Sequence, residues 1–191
     1  MQIKWLGNAC IEIKGEKNIL IDPNYLKEPE IDPDLILVTH EHSDHIDPAK
    51  LDKFSDYKLY APQTVFDEYD LDGVKIEDGS KIDNDIKVIG CDCYGTEEAV
   101  CYFYNGIYHT ADASSYPDPG EAVALLFTAC FSNLYDEYLE SIEKIRPGLT
   151  VPYHINPNDD GDLEEAEGLK DKLLENDIKA VVMSLGEEIP I

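Results

Sequence analysis

Thr39-His40-Glu41-His42-Ser43-Asp44-His45 holds three of the chain's five histidines, together with an aspartate. The apolar run Asp34-Leu35-Ile36-Leu37-Val38 stands directly before it, bounded by Pro33, and reads as a buried strand. The histidines are therefore expected on the loop at that strand's C-terminal end. Side chains two apart in near-extended backbone point the same way, so His40 and His42 can grip one metal ion. Asp44 and His45 follow where the chain turns toward a short helix opened by Pro48, and can face a second ion. A lone histidine on a surface loop usually means little. Here residue type, spacing and position after a strand all agree.

Length and charge bound what such a cluster can serve. The 191 residues suffice for one domain, residues 1–191, with a two- or four-layer core. A formal net charge of -26, from 15 Lys+Arg against 41 Asp+Glu, argues against nucleic acid and against anionic membranes as partners. The acidic residues are spread along the chain, as in a solvated surface. Five cysteines, at 10, 91, 93, 101 and 130, are an odd number and do not read as a disulfide framework. Strand pattern begins at the first residues, without a leader-like segment, and no apolar run is long enough to span a bilayer. A cytoplasmic protein is expected.

Working outward, residues 2–6, 9–13 and 17–21 read as short strands punctuated by Gly7 and the Gly15-Glu16 turn. A short helix is expected over 48–54, a strand over 57–61, and a helix after Pro62 with Val65, Phe66 and Tyr69 on its apolar face. Strands follow at 74–76, at Ile82 and over 86–93. Residues 100–104 and 107–110 form a hairpin around Asn105-Gly106. A buried strand is expected over 122–128 and a helix over 133–145, with Leu134, Tyr138, Ile142 and Ile145 on the core side. Residues 149–153 read as a strand delivering His154 at its C-terminal end. A capping-box-like Asp162 opens a helix to about Asn176, and 178–185 reads as a closing strand. Periodicity alone indicates mixed α and β structure.

The H-x-H-x-D-H pattern on a strand-to-loop exit resembles the metal-binding signature of the metallo-β-lactamase superfamily. Trp5-Leu6-Gly7-Asn8-Ala9-Cys10 and Ile19-Leu20-Ile21-Asp22-Pro23 resemble the opening of its branch of L-ascorbate-6-phosphate lactonase-like, metal-dependent hydrolases. The resemblance implies an α+β fold, the four-layer αββα metallo-β-lactamase-type sandwich. It also makes Asp112, in Tyr108-His109-Thr110-Ala111-Asp112-Ala113, the carboxylate bridging two ions, and His154 the last ligand. The second ion then has Asp44, His45, Asp112 and His154. The first has His40, His42 and Asp112, but the family's further histidine is missing from Val88-Ile89-Gly90-Cys91-Asp92-Cys93-Tyr94-Gly95, and Gly95 falls roughly at its place. Cys93 or Cys91 can substitute as a thiolate, Asp92 as an oxygen donor, or the first site stays weak.

Around these ligands, Asp22 can orient a bound imidazole by accepting its other N–H, or simply form an Asp-Pro turn. His109 is expected beneath the site, packing or hydrogen bonding. Asn8 stands where the branch has a histidine and can hydrogen-bond substrate or a supporting group, but not shuttle protons. The implied cofactor is zinc, one or two ions, with manganese or iron as alternatives. The implied activity is hydrolysis of a small ester, lactone or phosphoester by a metal-activated water, which Asp44 helps position. No Gly-x-Ser-x-Gly elbow offers a competing nucleophile. The two departures, at Asn8 and Gly95, keep open a non-catalytic metal- or partner-binding domain. A nuclease reading is opposed by the charge, and self-association is expected only by analogy with relatives.

Overall fold

In β4, Leu35, Ile36 and Leu37 are all buried, which requires a sheet covered on both faces. The computed structural model describes residues 1–190. Its first sheet begins with β1 (Gln2–Trp5), β2 (Ile11–Lys14), β3 (Ile19–Ile21), β4 (Leu35–Leu37) and β5 (Lys58–Ala61). Helix α1 (Gln63–Tyr69) leads to β6 (Val74–Lys75). The second sheet contains β7 (Lys81–Ile82), β8 (Ile86–Cys91), β9 (Ala99–Tyr104), β10 (Ile107–His109), β11 (Leu125–Thr128) and β12 (Leu149–Pro152). Helix α2 (Tyr135–Ile145) lies between β11 and β12 in sequence, and α3 (Asp160–Glu175) follows β12. The last described element, β13 (Glu188–Pro190), returns to the first sheet beside β1.

The orders are β13-β1-β2-β3-β4-β5-β6 in the 7-stranded sheet and β12-β11-β10-β9-β8-β7 in the 6-stranded one. Strands β3 to β6 run parallel, as do β10 to β12, and the other neighbours are antiparallel. Period-two alternation explains how the sheets stack. Ile3, Trp5, Ile11, Ile13, Ile19, Ile21, Leu35 and Leu37 share one core with the second sheet. Leu20, Ile36, Val38 and Leu59 join a separate outer cluster with Val65 of α1. Tyr138 and Ile142 of α2, with Ala166, Leu169 and Leu173 of α3, cover the second sheet. The expected αββα sandwich is present. The hairpin is also present, with Asn105 and Gly106 at φ of 48° and 83°, the left-handed pair that a two-residue connection demands.

Three local expectations need correction. Over 48–54 only a single 3₁₀ turn forms, Pro48–Lys50, capped by the Asp47 carboxylate. Beyond it the chain folds back so that Leu51 and Phe54 both pack on the outer cluster. Residues 178–185 make no closing strand: one bridge joins Ala180 to Thr150, and a turn at Ser184 to Glu187 then carries the chain across to β13. Helix α3 starts at Asp160, capped by Asp159, while the Asp162 carboxylate accepts from Asn156 N. Among the described residues no helix is long and apolar enough to cross a membrane, and all five cysteines are free.

Candidate metal centre

The loops after β4, β8, β10 and β12 meet at one edge of the sandwich. Two contacts between the sheets hold that edge: Tyr102 Oη donates to Val38 O at 2.7 Å, and Val100 N donates to Thr39 O at 3.1 Å. The structure brings together every residue expected as a ligand, in two groups sharing Asp112. One contains His40, His42, Cys93 and Asp112; the other contains Asp44, His45, Asp112 and His154. His40 and His45 are fully buried, whereas His42, Asp44, Cys93 and His154 are partly open to a cavity.

Buried hydrogen bonds decide which ring nitrogens face inward. Asp22, itself fully buried, accepts from Thr39 N at 2.8 Å and from Thr39 Oγ1 at 2.9 Å, and lies 2.7 Å from His45 Nδ1. With its own proton on Asp22, Thr39 Oγ1 is left to accept from His40 Nδ1 at 3.0 Å. Both imidazoles therefore have Nδ1 engaged from behind and Nε2 turned toward the centre. The backbone bends needed for this are unusual: Asp22, Ala111 and His154 adopt φ of 49°, 52° and 65°. Tyr153 Oη steadies one bend by donating to Ala111 O at 3.0 Å, and His154 N donates to Asn8 O at 3.0 Å. Asn8 thus braces the His154 loop through its backbone, while its side-chain amide donates to Asn24 O. His109 sits beneath the site, 3.0 Å from Ala9 O.

The spacing of the donors fits a metal. Four nitrogen or oxygen donors about 2.0–2.1 Å from one ion, at tetrahedral angles, stand about 3.3 Å apart. His40 Nε2 and His42 Nδ1 are 3.1 Å apart. Asp112 Oδ2 is 3.0 Å from His45 Nε2 and 3.1 Å from His154 Nε2, and Asp44 Oδ2 is 2.9 Å from His154 Nε2. Asp112 Oδ1 is buried without a hydrogen-bonding partner, and His45 Nε2, although 3.0 Å from Asp112 Oδ2, makes no aligned hydrogen bond; an oxygen left so in a protein core is costly unless a cation takes up its lone pairs. The residues present therefore suit a divalent ion.

The electrostatics of the protein alone are those of a site built for positive charge. Burial opposes the ionised form of Asp112, but the charges of His45 and His154 outweigh it and hold the carboxyl well below its usual range. Burial likewise disfavours His154 as a cation, yet Asp112 and Asp44 raise its pKa to about 9. A hydrogen bond from His154 takes Asp44 down to about 2. Burial and the neighbouring His45 charge push His40 down to about 3, so its lone pair is free. Burial and then the Asp112 charge push the Cys93 thiol up.

Beside the donors lies a cavity of about 710 Å³. His42, Asp44, Cys93, Asp112 and His154 form one wall, and Tyr94, Phe131 and Leu134 supply its aromatic and apolar surface. Among the described residues no lysine or arginine lines it. Sequence reading gave no role to Thr39, Glu41, Thr96 or Tyr153. Thr39 and Glu41 lie within the histidine motif and Tyr153 directly precedes His154, so adjacency was a signal for these three; Thr96 carried none.

Comparison with known proteins agrees with this architecture. The sequence profile described as "Beta-lactamase superfamily domain" matches residues 2–116. The chain is 32% identical to a UPF0173 protein of Pyrococcus furiosus, over 86% of this chain and 88% of that one. It is 27% identical, over the full length of both, to a UPF0173 metal-dependent hydrolase of Nanoarchaeum equitans. Among solved structures, Igni18, a metallo hydrolase from Ignicoccus hospitalis, superposes with a TM-score of 0.75 at 18% identity, covering 99% of this chain and 98% of the other; that likeness concerns the fold. On the extent of the profile match and its agreement with the observed sandwich, the chain belongs to the beta-lactamase superfamily domain family.

Proposed function

We propose that the protein is a metal-dependent hydrolase, its residues 1–191 acting as one metallo-β-lactamase-like domain on a small, neutral ester or lactone. The observation that carries this reading is the pair of four-donor groups joined at Asp112. Its relatives' description as metal-dependent hydrolases supports it. When bound, a divalent ion supplies Lewis acidity and acidifies a coordinated water toward a pKa of about 7. The chain's own groups do the rest. His40, His42, His45 and His154 would hold the ions through ring nitrogens, with the Asp112 carboxylate shared by the two donor groups. Asp44 faces the cavity and orients the attacking water. Asp22 and Thr39 hold His45 and His40 in the required tautomers.

The cavity wall supports the substrate class. Beyond any bound ion, a phosphorylated substrate would meet no lysine or arginine among the described residues of this wall, in a chain of net charge -26. A neutral carbonyl compound meets no such penalty, and Tyr94, Phe131 and Leu134 suit an apolar acyl or ring portion. This argues for the lactonase-like branch without its phosphate, and against a nuclease. Zinc suits the nitrogen-rich donors, with manganese or iron as alternatives. The free cysteines support a reducing, cytoplasmic setting.

Turnover of a panel of neutral lactones, aryl esters and phosphodiesters, with metal content measured in parallel, tests this reading. The expected result is metal-dependent hydrolysis of a lactone or ester, abolished by chelator and by His42→Ala or His154→Ala. Full turnover in both variants would sink it. Tight metal binding without turnover across the panel would instead favour a binding role.

A further inference from the structure

The first group of donors lacks the family's third histidine, and the structure shows what stands there. Cys93 Sγ lies 3.7 Å from His40 Nε2. A sulfur about 2.3 Å and a nitrogen about 2.0–2.1 Å from one ion, at a tetrahedral angle, stand about 3.6 Å apart. The other substitutes raised by the sequence do not reach: Cys91, on β8, engages Cys101, and Asp92 belongs to neither donor group. Gly95 approaches His42 from the side; a Cβ on it would lie 3.4 Å from His42 Nε2, and its φ of +84° disfavours any side chain. There is room for a Cβ at 95, so it is the left-handed backbone, not space, that disfavours a histidine there.

The loop carrying Cys93 is also held in place from the histidine motif. Glu41, between the two histidines, accepts from Thr96 Oγ1 at 2.6 Å and from Thr64 Oγ1 at 3.0 Å. Tyr69 Oη donates to Glu41 O at 2.8 Å. This clamp ties the β8–β9 connection to α1 and to the His40–His42 segment, so the sulfur's position follows from a braced loop.

We propose that Cys93 is a thiolate ligand of the first ion, completing a set with His40, His42 and Asp112. The inference rests on the reading of this edge as a metal centre. On binding, the S–H bond breaks, a sulfur–metal bond forms and one proton leaves to solvent, with no change of oxidation state. The two sites then differ in character: a softer nitrogen, sulfur and oxygen set beside one of nitrogen and oxygen only. Zinc and cobalt are favoured over manganese at the first, and the second is more permissive.

Cobalt(II) titration of the full chain tests this, with absorption spectra and metal counts on the wild type, Cys93→Ser and Cys91→Ser. The wild type should bind two ions and show a near-ultraviolet sulfur-to-cobalt charge-transfer band. Cys91→Ser should keep that band. Cys93→Ser should lose it, with one ion bound about tenfold or more weakly while the other is retained. Circular dichroism of Cys93→Ser establishes that it is folded. Two cobalt ions in the wild type without the band, or a band that survives in folded Cys93→Ser, would overturn the assignment. Band and stoichiometry as expected, but no hydrolysis of any ester or lactone, would leave the ligand in place and refute the hydrolase reading alone.

Discussion

Asp22 touches no substrate-facing surface, yet it sets the orientation of two imidazoles. Its carboxylate accepts hydrogen bonds from Thr39 and His45, and through Thr39 it controls His40. Asp22→Asn places amide hydrogens against donors already there. Metal affinity should fall about 10- to 100-fold with the secondary structure unchanged, read by competition with a chromogenic chelator. Tyr153→Phe removes the hydroxyl from Ala111 O and should cost about 1 kcal/mol in denaturant unfolding. Protons compete with metal at this edge. The His154 pKa is raised from 6.5 to about 9, and His45 shifts the same way. In metal-free protein the favourable contribution of these groups is fully present below about pH 6.5 and is lost as pH rises through about 9. The same protons must leave when metal binds, so apparent affinity should rise across that window. Thermal melts between about pH 6 and about pH 10, with and without metal, should diverge as pH increases.

Each element that delivers a ligand is short, and its stop matters more than its length. β4 ends at Leu37, β10 at His109 and β12 at Pro152, and in each case a bend then aims the functional side chain. The Glu41 clamp is the counterpart for the β8–β9 connection. Thr96→Val should cost about 1 kcal/mol and speed hydrogen exchange over 92–98 while sparing β9. Strand positions read directly from alternation: Leu35 and Leu37 face the inner core, and Ile36 the outer one. Positions governed by long-range packing did not. The apolar run 178–185 has the composition of a strand, but its neighbour β12 receives it at a single bridge before the chain crosses to β1. Pro48 announced a helix, but only a 3₁₀ turn forms, followed by a turn in which Phe54 N donates to Leu51 O.

The molecule as a whole is a polyanion wrapped around the proposed metal centre. A net charge of -26 on 191 residues opposes compaction through self-repulsion, and ions in solution screen it. Raising salt from about 0.01 M to about 0.5 M should therefore raise the midpoint of thermal unfolding by a few degrees, measured by calorimetry. The same field favours divalent cations near the Asp112 edge and disfavours anionic substrates, in keeping with the cavity wall. The buried middle of the sandwich depends on both sheets at once, and β13, which follows the whole second sheet in sequence, returns to the edge of the first.

The histidine motif and the strand before it could be recognised without coordinates, because six consecutive positions and a period of two are local properties of a chain. So could the sandwich, through the resemblance those residues carry. The donor that fills the vacant histidine position could not be chosen that way. By spacing, Gly95 occupied it, and three candidates remained. Which of them points at His40 depends on a left-handed glycine, a carboxylate clamp and two sheets locked edge to edge. Those are contacts between residues some fifty positions apart, such as Glu41 and Thr96. A linear pattern records which groups are available, but it carries no information about where a folded loop will point them.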